Sequence, residues 1–173
     1  MISKNKKILA VSILTFIVLV SLTIYVIHIQ FDKYENRIKY YSEMNMLRKA
    51  VREQLYNYYD TNRSYPEKLT DITIPFQQTD KAARRMMDNL KYTTDGNCYD
   101  IICSVFYKTY KDRACNGKMI YIEIYENDQL HQRWEYSNGD SNTFSGKQKE
   151  YKNDKLIYET IYKDDKIISK KEF

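Results

Sequence analysis

Three cysteines, two histidines and a scatter of carboxylates are the side chains from which a reactive site in this chain would have to be built. Cys98, Cys103 and Cys115 have no histidine near them, so a zinc site is not expected. Outside a reducing compartment two of them would form a disulfide and leave one over. The expected pair is Cys98 with Cys115, closing a loop around the apolar run that holds Cys103, itself expected as a small buried side chain. His28 lies at the end of an apolar run, which leaves His131 as the one available base; on a β-prone run beside Gln132 it reads as a surface residue. Asp95, Asp100, Asp112, Glu123 and Glu126 could supply a carboxylate pair, but several fall in turn signals, where Asp serves local hydrogen bonding. Arg84 and Arg85 could hold a phosphate, although a solvated helix face is the plainer reading, and no glycine-rich phosphate loop occurs. No catalytic residue, cofactor, metal or small-molecule substrate is expected, and the chain is not read as an enzyme.

The charge balance points the same way. The net charge is +5; Lys4, Lys6 and Lys7 carry three of those charges, which leaves about +2 spread among interleaved acids and bases. Such a surface lacks the basic stripe of a nucleic-acid binder. Tyrosine is abundant at 18 residues while Gly and Pro number 4 and 2. A tyrosine-rich chain suits half-buried strand surfaces, where one end of the ring is apolar and the other wet.

The elements that would position these residues begin with an uncharged run, 8–29, whose polar members are Ser12, Thr15, Ser21, Thr23 and His28. A helix needs about 20 apolar residues to cross a bilayer. The run is therefore expected to be a transmembrane helix in lipid. Residues 1–7 would be a basic cytoplasmic tail and the rest an extracytoplasmic head on a single-pass, uncleaved anchor. Over 30–61 the apolar residues Phe31, Tyr34, Ile38, Tyr41, Met44, Leu47, Val51, Leu55 and Tyr58 recur at steps of three and four. That spacing predicts one face of an amphipathic stalk helix, packed on its own domain or on a partner, with Arg37, Arg48 and Lys49 among the charged residues assigned elsewhere. Asp60-Thr61-Asn62 should end it. Residues 62–89 read as loop and short helices, including one over 77–89. From 90 to 173 the signals are those of hairpins: Asn116-Gly117, Asn127-Asp128, Asn138-Gly139, Asn153-Asp154 and Asp164-Asp165 separate β-prone runs. The fold class expected is α+β, a long helix packed against an antiparallel meander.

The passage from Leu55 to Leu69, with its aromatic helix end and the step Tyr65-Pro66-x-x-Leu69, resembles type IV pilins and the pseudopilins of type II secretion over about residues 8–72. The resemblance implies a helical stalk carrying a β-sheet head, and assembly with like subunits or other protein partners in a secretion or pilus-type envelope complex. The chain departs from that pattern in having no glycine before Gly96 and no acid before Asp32, so the usual cleavage site and its glutamate are missing. The recurring Tyr-x-Asn-Asp-x-Leu units of 121–173 weakly resemble MORN-variant hairpins, which implies a structural or binding sheet. Two functions are therefore expected in competition: an assembly protein, or a tethered module whose tyrosine-rich sheet recognises a protein or glycan.

Overall fold

The computed structural model describes residues 4–74, 87–140 and 143–173, with the side chain of Phe16 and those from residue 18 onward within these ranges. The chain forms two compact units, Met1–Glu43 and Met44–Phe173. One helix, α1 (Lys4–Asn62), contributes residues to both. No Gly or Pro interrupts it, so nothing in the sequence kinks or stops it earlier. It ends where Arg63 takes left-handed backbone (φ 56°) and its N–H donates to the Tyr59 carbonyl at 2.7 Å, a single-residue C-terminal cap.

In the first unit the described part of α1 exposes its apolar side chains. Phe16, Leu19, Leu22, Ile24, Val26, Ile27, Phe31, Tyr34 and Ile38 are each at least half exposed. Single-turn contacts lie among them, His28 Nε2 with the Asp32 carboxylate at 3.8 Å and the Lys39–Glu43 ion pair at 4.0 Å. Among the described residues no helix is long and apolar enough to cross a membrane. This overturns the transmembrane helix expected over 8–29, and with it the single-pass placement and the extracytoplasmic head. The described part of the run carries Ser21 and Thr23 and is followed by His28, Asp32 and Lys33. The side chains of 8–15 and of Ile17 lie outside the described residues.

The second unit is built on an eight-stranded antiparallel sheet. Its strands are β1 (Leu90–Thr94), β2 (Cys98–Val105), β3 (Lys108–Cys115), β4 (Lys118–Glu126), β5 (Gln129–Tyr136), β6 (Gly146–Lys152), β7 (Lys155–Lys163) and β8 (Lys166–Glu172). They lie side by side in chain order, so every strand pairs only with its sequence neighbours. At Asn127-Asp128, Asn153-Asp154 and Asp164-Asp165 both turn residues have positive φ, as a two-residue hairpin of matching twist requires. The β5–β6 connection is different: nine residues, 137–145, separate the two strands, so Asn138-Gly139 does not join them as a two-residue turn. The helix expected over 77–89 falls largely on residues outside those described.

Alternation on β2 and β3 places Tyr99, Ile101, Cys103, Val105, Tyr110, Asp112 and Ala114 on one buried face. Met44, Leu47, Val51 and Leu55 of α1 are buried in the same unit. Burying a side chain of this size is worth about 1.5–3 kcal/mol, so these four residues outweigh any single polar contact of the helix. Between β5 and β7 a second cluster forms around Phe144, whose ring centroid lies 5.0 Å from Trp134, 5.3 Å from Tyr162 and 4.8 Å from Tyr136. The loop carrying Phe144 is pinned to the β7–β8 turn by paired bonds: Phe144 N–H donates to the Asp165 carboxylate at 2.9 Å, and Asp165 N–H to the Phe144 carbonyl at 3.0 Å.

Candidate functional site

The strongest polar constellation of the second unit is centred on Asp112, whose side chain is fully buried. It stands on β3 opposite Ile101 of β2 and Ile122 of β4. Two arginines one helical turn apart on α1 reach it. Arg48 makes a two-pronged ion pair, with Nε 3.2 Å from Oδ2 and Nη2 on Oδ1, and Arg52 Nη1 donates to Oδ2 at 3.1 Å. The Arg48 guanidinium also lies 4.2 Å from the centre of the Tyr110 ring, and its Nη1 donates to Asn45. Two guanidinium groups make three charge-assisted hydrogen bonds to this one buried carboxylate, which occupy three of its about four lone-pair sites. The cluster therefore fixes where α1 meets the sheet; chemically it is a lock. Sequence reasoning set Arg48 apart from the apolar stripe. The same three-and-four spacing in fact puts it between Met44 and Val51, on the buried face.

The other acids singled out in the sequence are also engaged. Asp95 accepts the N–H groups of Cys98 and Asn97 in its own turn, and these bonds hold its carboxyl below the usual range. Asp100 pairs with Arg113 at 3.1 Å, Glu123 with Arg133 at 2.9 Å and with the Tyr125 hydroxyl, and Glu126 with Lys108 at 2.8 Å. His131 is exposed on β5. Arg84 and Arg85 lie outside the described residues. Among the described residues no group of three or more His, Cys, Asp or Glu is placed to hold a metal.

Cys98 and Cys115 form a disulfide across the first register pair of β2 and β3. Cys103 is free and buried, and burial pushes its thiol up to about 11. Tyr65 and Pro66 are both buried. The Tyr65 N–H donates to the Gly96 carbonyl at 2.7 Å, its hydroxyl accepts the Gly117 N–H at 3.1 Å, and the Pro66 carbonyl accepts the Tyr92 hydroxyl at 2.7 Å. Burial pushes the Tyr65 and Tyr92 phenols up to about 12. Leu69 opens a short 3₁₀ turn and is half-buried. The helix stripe divides between the units: Leu47, Val51 and Leu55 are buried in the second, while in the first Phe31, Tyr34 and Ile38 are exposed and Tyr41 is half-buried. No protein-family model, curated protein or solved structure matches the chain.

Proposed function

We propose that this chain is a non-enzymatic assembly subunit, in which the apolar first half of α1 associates with like subunits and the β-meander unit supplies the head. The observation that carries this reading is the exposure of Phe31, Tyr34 and Ile38 together with Leu19, Leu22, Ile24, Val26 and Ile27 on one described helix. Monomers rarely leave an apolar surface of this extent uncovered; where they do, it marks an interaction site. The steps from 31 to 34 to 38 are those of helix-to-helix seams. The pilin-type resemblance of residues 8–72 supports the same reading. Asp100, Asp112, Glu123 and Glu126 are each paired with an arginine or a lysine, which favours a scaffold role over a reactive one.

The test is the oligomeric state of the full chain by sedimentation equilibrium and by crosslinking, against the triple variant Phe31→Ser, Tyr34→Ser, Ile38→Ser. A concentration-dependent oligomer that the variant abolishes, with the far-ultraviolet spectrum of the sheet unchanged, supports the proposal. A monomer at all concentrations, or partition of the chain into lipid vesicles in place of self-association, would overturn it.

A further inference from the structure

A cleft of about 420 Å³ opens in the second unit between the last two turns of α1 and the loops that follow β3 and β5. This volume lies within the range of small-ligand sites, roughly 300–1,000 Å³. Its floor is an aromatic stack held from behind. The Tyr59 ring lies on the Gly117 backbone, where a Cβ would come within 3.0 Å of it. Tyr65 packs against Tyr59 with centroids 4.7 Å apart, and Tyr99 braces Tyr65 edge-on at 4.8 Å. The Gly117 N–H, bonded to the Tyr65 hydroxyl, ties the turn to the stack. Glycine at 117 is there for this approach and not for the turn alone, because three other hairpins of the sheet make positive-φ turns with Asn-Asp or Asp-Asp.

Above this floor Tyr56, one helical turn before Tyr59 and Asp60, is more than half exposed. On the opposite lip Asn116 is exposed and held at φ 52°. Charge at the cleft is balanced: Asp60 and Arg63 are ion-paired at 3.2 Å, and Lys118 and Asp140 add one charge of each sign.

We propose that this cleft binds a short neutral oligosaccharide, one sugar ring stacked on Tyr56 and Tyr59 and its hydroxyls bonded by Asn116, Asp60 and Arg63. The C–H face of a pyranose is weakly positive and suits the negative face of a tyrosine ring. Planar amide, carboxylate and guanidinium groups at the rim offer the donors and acceptors that vicinal hydroxyls require. Balanced charge selects neither an anion nor a cation. The fixed floor means that little side-chain freedom is lost on binding. This proposal does not depend on self-association through α1.

The test is isothermal titration of the full chain with neutral trisaccharides of glucose, mannose, galactose and N-acetylglucosamine. Inorganic phosphate and a tyrosine-containing neutral peptide serve as comparison ligands. At least one trisaccharide should bind saturably. Tyr56→Ala should weaken it about tenfold, the loss of one stacking contact, without lowering the melting temperature. Asn116→Ala should weaken it as well, and Lys152→Ala, at the end of β6 and outside the cleft, should not. Absence of saturable binding by all four trisaccharides overturns the proposal. So does sugar binding that survives Tyr56→Ala, or binding of phosphate or peptide alone.

Discussion

Among single residues, Asp112 carries the largest consequence. Its carboxylate is buried between two guanidinium groups, so removing it strands two partly or fully buried cations. Asp112→Ala is expected to cost about 3–5 kcal/mol of stability, measured by urea unfolding. Replacing Asp112, Arg48 and Arg52 together by Leu, Met and Met should recover much of that loss, because a well-packed apolar set of similar volume leaves no buried charge to compensate. Cys103 and the buried phenols govern the alkaline side. The folded state raises the thiol from 9.0 to about 11, and Tyr65 and Tyr92 from 10.0 to about 12, mainly by burial. The unfolded chain thus loses these protons first. The stability these groups contribute is fully present below pH 9 and is lost as pH rises from about 9 to 12. A spectrophotometric titration should show these tyrosines ionising together with the loss of the sheet signal. Cys103 should stay unmodified by a thiol reagent at pH 8 until denaturant is added.

At the level of the elements, the backbone geometry of the turns yields the clearest tests. Phe106 sits in the β2–β3 turn at φ 54° with its side chain largely exposed. Phe106→Gly removes the left-handed penalty of about 1–2 kcal/mol and should raise the melting temperature. Gly146 opens β6 opposite Tyr136, and a Cβ there would stand 1.8 Å from the Glu135 carbonyl oxygen, so Gly146→Ala is expected to break the β5–β6 pairing. Loss of that edge should appear as protease sensitivity after residue 136. These same turns explain what was legible. The hairpins after β4, β6 and β7 announce themselves as Asn-Asp or Asp-Asp between alternating runs. The β2–β3 turn is Phe106-Tyr107, aromatic residues that carry no turn signal, so β2 reads as a longer strand and β3 disappears. Strand β3 is further hidden because its inward positions are Tyr110, Asp112 and Ala114: a buried acid reads as a surface residue until its arginines are seen. The three-and-four spacing made α1 legible as a helix but could not say that the stripe is buried at Leu47 and exposed at Ile38. The cleft was not legible at all, because it joins residues about 60 and 80 positions apart, Tyr56 with Asn116 and Asn138.

For the whole molecule, the disulfide and the strict order of the sheet set how stability is distributed. Cys98 and Cys115 close a loop with a sequence separation of 17, and restricting a loop of that size in the unfolded chain is worth about 3 kcal/mol. Reduction should therefore lower the midpoint of unfolding, and Cys98→Ala with Cys115→Ala should reproduce the reduced protein. Because each strand pairs only with its neighbours, the sheet can lose strands from its carboxyl end without altering the topology of those before. Strand β8, exposed along its whole length, should exchange its amide protons first and β2–β4 last. The placement of the lock between Arg48 and Asp112 bears also on how the chain is made. A ribosome adding about 5–20 residues per second emits Asp112 roughly 3–13 seconds after Arg48. Between the emission of Leu55 and that of β1 at Leu90, the helix face of Met44, Leu47, Val51 and Leu55 is complete but has no sheet to cover it. The nascent chain must pass through a stage in which its stickiest helix waits, with two arginines set among its apolar residues to keep it in solution until its own strands arrive.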